Sequence, residues 1–180
     1  MTPSCAEHYD KLYADSDYCR GITTCHKMIL GLRPWLKKLG VRNVLDVGCG
    51  RGRMINGFIS SGFKVFGTEI SIALLRGDLY GHRILPLTLK QLMKKGAEEW
   101  DFVIYSDVLN HLWEPSEINE AIQWGSKARI GCLVGIEENS LYATTNEGQQ
   151  LWKDRVEANI TSECSDQREG NSFIIYWTNA

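Results

Sequence analysis

The chain has 180 residues, of which 43% are hydrophobic and 23% charged, with 17 glycines and 4 prolines. That is about one domain of sequence with enough apolar residues for a self-supporting core, so disordered, collagenous and repeat classes are excluded and no disulfide or metal staple is required. Lys and Arg number 20 against 22 Asp and Glu, a net charge of −2, without the basic surplus of a general nucleic-acid binder.

Beyond the first twenty-odd residues, short runs rich in Val, Ile and Phe alternate with helical patterns, the signature of parallel strand–helix units. Cys25, Ile29, Leu32, Leu36 and Leu39 recur at helical spacing. They predict a first helix that buries this stripe, is kinked or divided at Pro34 and ends at Gly40. Asn43 to Val47 is the first predicted strand. A glycine-punctuated turn follows it into a helix with Met54, Ile55, Phe58 and Ile59 on one face and Gly62 as its stop. Phe63 to Glu69 reads as the second strand, followed by a short helix capped by Ser71 with Ile72, Leu75 and Leu79 inward. Arg83 to Leu87 reads as the third strand, and Thr88-Leu89-Lys90-Gln91 has the form of a capping box that opens a helix to about Lys95.

Asp101 to Ser106 holds the unbroken apolar run Phe102-Val103-Ile104-Tyr105, as a mid-sheet strand covered on both faces requires. A helix from Pro115, with Ile118, Ala121 and Ile122 on one face, precedes a fifth strand from Ile130 to Ile136. Leu151 to Ala158 is a weaker helical pattern. Ile160 to Cys164 and Ser172 to Thr178 read as an antiparallel strand pair across a polar turn. The fold class is α/β, a single doubly wound domain.

No uninterrupted apolar stretch approaches the roughly 20 residues of a membrane span, and Met1 to Arg20 is too acidic and polar for a signal peptide, so the cytoplasm is the default address. Cysteines 5, 19, 25, 49, 132 and 164 form no Cys-x-x-Cys pair and no zinc-finger spacing, which points to reduced thiols and no metal. Cys25 and His26 are adjacent and therefore diverge on a helix, and Cys25 fits the apolar stripe, so core packing is preferred there to a nucleophile or metal site.

The most informative stretch is Val44-Leu45-Asp46-Val47-Gly48-Cys49-Gly50-Arg51-Gly52, an apolar strand running through three glycines into a helix. Without Cβ atoms, a ligand can lie against exposed N–H groups at the carboxyl edge of a sheet. Glu69 ends the second strand, where an acidic side chain can accept hydrogen bonds from both hydroxyls of a ribose. Dinucleotide enzymes space their loop Gly-x-Gly-x-x-Gly around a pyrophosphate, whereas here the third glycine comes one residue early. Asp46 would also repel a pyrophosphate and favour a cation.

On these residues the chain resembles the class I S-adenosylmethionine-dependent methyltransferases. VLDVGCGRG matches their first motif and Phe66-Gly67-Thr68-Glu69-Ile70-Ser71 their acidic second. The segment from Asp101 through Ser106-Asp107-Val108-Leu109-Asn110-His111 is similar to the pocket-closing fourth-strand motif of the small-molecule branch related to ubiquinone-biosynthesis enzymes. The resemblance implies a Rossmann-like, mostly parallel seven-stranded sheet with the C-terminal antiparallel pair. It divides the domain into a capping segment and helix (1–41), a cofactor-binding core (42–136) and a C-terminal helix and strand pair (137–180). It further implies S-adenosyl-L-methionine as cofactor: Asp46 orients the loop and the methionine end, Gly48, Cys49 and Gly50 contact the cofactor, Glu69 holds the ribose, Ile70 and Leu87 flank adenine, and Ser106 offers backbone contact. Arg20, with Tyr9, Tyr13 and Tyr18, lies in the segment that caps the cofactor in relatives. Asp46 and Glu69 could instead cap neighbouring helices, and Ile70 and Leu87 could be core.

Methyl transfer from a sulfonium is an in-line displacement, accelerated chiefly by holding the acceptor near the methyl carbon and excluding water. If the acceptor must lose a proton, Asp107, His111, Glu137 and the N-terminal tyrosines are candidate bases, Asp107 and His111 being the catalytic pair singled out. His111 could equally tie the loop after the fourth strand to a backbone carbonyl, and Asn110 shares that ambiguity. No Asn-Pro-Pro-Tyr or Asp-Pro-Pro-Tyr follows the fourth strand, and no sizeable insertion makes a substrate lid, so a small-molecule or partner-presented acceptor is expected rather than a nucleic acid. A binding module that keeps the pocket but has lost or delegated catalysis, and a nicotinamide-dependent oxidoreductase, are the competing expectations.

Overall fold

The strands of the computed structural model are β1 (Asn43–Val47), β2 (Lys64–Thr68), β3 (Ile84–Leu85), β4 (Phe102–Ser106), β5 (Gly131–Ile136), β6 (Cys164–Glu169) and β7 (Ser172–Thr178). They form a 7-stranded sheet in the order β3-β2-β1-β4-β5-β7-β6. β1 to β5 run parallel, and β7 runs antiparallel to both β5 and β6. The structure describes residues 7, 10–11, 23–71, 81–112, 114–136, 146–170 and 172–179.

Alternate residues of the central strands feed two cores. Val44, Phe102, Ile104, Leu133 and Ile174 face α1 (Thr24–Gly31), α2 (Arg33–Lys38) and α3 (Arg53–Ile59), where Cys25, Ile29, Leu36, Met54, Ile55 and Phe58 are buried. On the other side, Leu45, Val47, Val103, Tyr105, Val134 and Ile175 pack with residues of α4 (Leu89–Leu92), α5 (Pro115–Gly125) and α6 (Asn146–Glu157). Burial on both faces explains the unbroken apolar run of β4, the fourth strand of the seven.

Asp101 fixes the register of the centre. Its Oδ2 accepts the amides of Arg42 and Asn43, each at 2.9 Å, and its Oδ1 pairs with the Arg129 guanidinium, so the starts of β1, β4 and β5 are tied at one point. Burial pushes this carboxyl up, but the Arg129 pair and the two amides outweigh it and hold the carboxyl below its ordinary range.

The predicted first helix is divided as expected, with Leu32 between α1 and α2 and Pro34 in the first turn of α2. Thr88 and Gln91 make the reciprocal capping box. Four expectations require correction. The third strand is only Ile84–Leu85, because it lies at the sheet edge with β2 as its one neighbour. The helix expected to reach Lys95 stops at Leu92. The helix placed at Leu151 to Ala158 begins five residues earlier, in a polar turn that lacks an apolar stripe. The strand placed at Ile160 to Cys164 is instead Cys164–Glu169, an exposed polar edge strand whose sequence CSDQRE carries little apolar alternation. The helix expected after Ser71, with Ile72, Leu75 and Leu79, lies outside the described residues.

Candidate functional site

The strand order reverses direction between β1 and β4, and ligands of open α/β sheets bind in the crevice beyond the carboxyl ends of such a pair. The glycine turn occupies this point. Gly48, Gly50 and Gly52 all have positive φ, at 67°, 54° and 72°. At Gly48 the need for glycine is also spatial, since a Cβ there would fall 2.6 Å from Cγ2 of Val108 in the segment after β4. The turn is thus pressed against the strand-four loop.

Two residues at the end of β2 hold the turn. The Gly48 amide donates to Oγ1 of Thr68 at 3.3 Å and the Cys49 amide to the Thr68 carbonyl at 2.9 Å. The Gly50 amide donates to Oε2 of Glu69 at 3.0 Å, while Oε1 accepts the amides of Ile70 at 2.7 Å and Ser71 at 2.9 Å. Glu69, 5% exposed, therefore organises the loop itself. A carboxylate has about four acceptor positions, so three amides leave it limited capacity for a ribose. Thr68 was not anticipated from sequence, although its place directly before Glu69 was the available signal. Ser71 also donates from its hydroxyl to Oδ1 of Asp10 at 2.5 Å, which brings Asp10 to this edge.

Asp46 lies behind the turn, 2% exposed, and its Oδ1 is buried without a hydrogen-bond partner. Burial, with the nearby Glu69 charge adding to it, pushes this carboxyl up to about 8. Such a group is poised to ionise when a cation arrives beside it.

At the end of β4, Ser106 is buried, and its Oγ lies 3.9 Å from Sγ of Cys25. Asp107 has φ 54°, the one positive φ outside glycine among the described residues, and its amide donates to the Gly135 carbonyl at 2.8 Å. Backbone strain of this kind concentrates at functional sites. Asn110 donates to Oδ1 of Asp107 at 2.7 Å, and Nε2 of His111 stands 3.8 Å from Oδ2 of Asp107, so His111 faces this carboxylate. His26, read from sequence as the neighbour of a core cysteine, lies in the first turn of α1, where burial holds its ring below the ordinary value against the opposing charge of Asp107.

The structure thus brings Asp46, Gly48, Cys49, Gly50, Glu69, Ile70, Ser106, Asp107 and His111 to one sheet edge. Leu87, just past β3, is partly buried against the core on the α5 and α6 side. Arg20, Tyr9, Tyr13, Tyr18 and Glu137 lie outside the described residues.

A family model described as a methyltransferase domain matches residues 20–124, more than half of the chain. The chain belongs to the methyltransferase family. The chain is 28% identical over 123 residues to a protein of Geobacillus sp. (strain WCH70) that carries a methyltransferase name, with 65% of this chain and 48% of that protein matched. The chain therefore spans about half the length of that curated relative. Among solved structures, the chain is similar to magnesium protoporphyrin IX methyltransferase (ChlM) from Synechocystis PCC 6803 with bound SAM, at TM-score 0.67 and 19% identity over 97% of this chain and 95% of the other. It is also similar to the N-methyltransferase NodS from Bradyrhizobium japonicum WM9 in complex with S-adenosyl-L-homocysteine, at TM-score 0.67 and 14% identity over 97% of each chain. At these identities the likeness shows a shared methyltransferase fold, in agreement with the expected seven-stranded sheet. No helix among the described residues is long and apolar enough to cross a membrane.

Proposed function

We propose that the chain is a single S-adenosylmethionine-binding domain that moves a methyl group to a small or mid-sized acceptor in the cytoplasm. The observation that carries this reading is the buried, partnerless Oδ1 of Asp46 behind a turn of three positive-φ glycines. A dinucleotide pyrophosphate would only press this carboxyl further toward its protonated form, whereas a ligand with an ammonium group and a sulfonium stabilises the ionised form and supplies the missing partner. When bound, the cofactor supplies an electrophilic methyl group on positively charged sulfur.

The protein's part is to bind, orient and exclude water. Asp46 attracts the cationic methionine end, and the turn of Gly48, Cys49 and Gly50, its amides already held by Thr68 and Glu69, offers it a rigid backbone surface. Glu69 fixes the turn and offers its remaining acceptor capacity to the ribose. Ile70 and Leu87 supply apolar surface for adenine, Ser106 lines the floor, and Asp107 and His111 stand where an acceptor would enter. Arg20 would close the site from the N-terminal segment.

Titration calorimetry with S-adenosylmethionine, S-adenosylhomocysteine and a nicotinamide dinucleotide tests the reading. The first two should bind and the third should not. Tight binding of the dinucleotide alone would overturn it. A screen of phenols, amines and carboxylic acids for S-adenosylhomocysteine release then seeks the acceptor, and binding without turnover by any class would favour a non-catalytic module.

A further inference from the structure

Helices α2, α3, α4 and α5 each lead into the start of a parallel strand, so the sheet edge opposite the glycine turn is made of helix ends and strand starts. Cations collect at this amino edge. α2 closes with the exposed Lys37 and Lys38, and Arg42 and Lys64 stand exposed where β1 and β2 begin, joined by the Lys64 amide to the Arg42 carbonyl at 2.8 Å. The exposed Lys94 and Lys95 follow α4, and the exposed Lys127 and Arg129 lie between α5 and β5. Hydrogen bonds draw these segments together. The Arg129 amide donates to the Trp100 carbonyl at 2.9 Å, the Asn43 side chain to the Glu99 carbonyl at 3.0 Å and the Trp124 indole to the Lys95 carbonyl at 2.7 Å. Arg129 pairs with Asp101, while Lys37 and Lys64 hold their ammonium groups 5.8 and 5.5 Å from the ring centres of Phe63 and Phe66. Trp100, half-buried, packs edge-on against Phe66 at 5.7 Å. The net charge of −2 thus hides a division, with Asp46, Glu69 and Asp107 at the carboxyl edge and a lysine-rich face at the other.

Two acids break the basic face. Glu98 and Glu99 are exposed in the turn between Lys95 and Trp100, and toward β6 the face stops at the exposed Glu157 and Glu163. A nucleic-acid backbone or an anionic bilayer carries negative charge throughout and would be repelled at Glu98 and Glu99. A folded protein can set carboxylates opposite the lysines and a cation opposite the two glutamates. We infer that the amino edge is a docking surface for a protein whose contact face is rich in Asp and Glu, with Trp100 as the aromatic anchor. Such a partner sits at the far end of the strands from the glycine turn, so it holds the domain without covering the carboxyl edge. The inference stands apart from the methyl-transfer reading, since it uses none of the residues of that site.

Binding measurements on the whole chain at about 0.1 M salt test this. The probes are a labelled glutamate peptide broken by a central lysine pair and a labelled RNA duplex, both followed by fluorescence anisotropy, and phosphatidylserine vesicles followed by co-sedimentation. The peptide should bind saturably and more tightly than either other probe, and about 0.5 M salt should weaken it by on the order of 10-fold or more. K38E/K95E/K127E should weaken it by a similar factor and K38Q/K95Q/K127Q by less. K27E, the same charge change at the exposed Lys27 of α1, whose Cys25 reaches Ser106 at the carboxyl edge, should change it by less than about twofold. Thermal unfolding checks that both triple variants are folded, and the glutamine variant carries the comparison if the charge reversal disturbs the fold. Absence of saturable peptide binding, or binding indifferent to the folded triple variants, would overturn the docking surface. RNA or vesicles bound more tightly than the peptide would overturn its assignment to a protein. Failure of the wild-type chain to bind S-adenosylmethionine is a separate result, which removes the methyl-transfer reading and leaves this surface standing.

Discussion

Glu69 and Gly50 are joined by a 3.0 Å hydrogen bond across the carboxyl edge of the sheet, so the acid at the tip of β2 and the turn after β1 form one unit before any ligand arrives. Replacement of Glu69 should therefore act twice. Glu69→Ala leaves the amides of Gly50, Ile70 and Ser71 without their acceptor and should cost on the order of 2 to 4 kcal/mol of stability. Loss of contacts to a ribose should weaken S-adenosylmethionine binding by on the order of 100-fold. Thermal unfolding and titration calorimetry read the two effects separately. A variant with lowered stability and unchanged affinity would confine Glu69 to organising the loop.

Gly48→Ala places a Cβ 2.6 Å from Cγ2 of Val108 and demands a positive φ of 67° from an L side chain. The combined strain and crowding should cost on the order of 2 to 4 kcal/mol in denaturant unfolding. Adding Val108→Ala should recover the steric part and leave the backbone part. An equal loss in both variants would show that φ alone matters there.

Asp46 should link cofactor binding to protons. Its carboxyl sits at about 8 in the folded protein against 3.8 for the unperturbed group, so the folded state holds a proton that the unfolded chain releases. Its contribution to stability is whole below about pH 4 and is lost as pH rises through about 8. A cation beside Asp46 favours the ionised form, so binding near pH 6.5 should expel close to one proton, and affinity should rise with pH up to about 8. Calorimetry in two buffers of different ionisation heat measures this release. Asp46→Asn should abolish it; release that persists in this variant would place its source elsewhere.

Asp101 should behave in the opposite sense. Its folded carboxyl is held below the ordinary value, so the stability it gives is present above about pH 4 and is lost as pH falls through the lowered folded value. Asp101→Ala removes the acceptor for the amides of Arg42 and Asn43 and should cost on the order of 2 to 4 kcal/mol at pH 7, a difference that narrows in acid. A pH-independent difference between the two proteins would contradict the ion pair with Arg129.

Much of the architecture is legible in the sequence because the central strands follow directly from local pattern. Phe102 to Tyr105 is apolar without a break since both its faces are covered, and the glycines after Val47 mark a turn that only positive φ can make. The periphery is less legible. Cys164–Glu169 is a strand because β7 offers it a partner, not because its own residues alternate. His26 shows the same limit within the site. Its neighbour Cys25 obeys the apolar stripe, and nothing nearby in sequence indicates that the charge of Asp107 acts on the ring, an influence set only by folding. Likewise the occupation of Glu69 by loop amides depends on how β1 and β2 end side by side.

The placement of β7 between β5 and β6 reaches beyond the sheet itself. A ribosome must deliver residues 172 to 178 before β5 has its second neighbour, so the strands already made would wait with an apolar border open to other nascent chains. Closure of the sheet accordingly waits for Ser172 to Thr178, and a message cut short just upstream of Ser172 would yield aggregation rather than a smaller working fold.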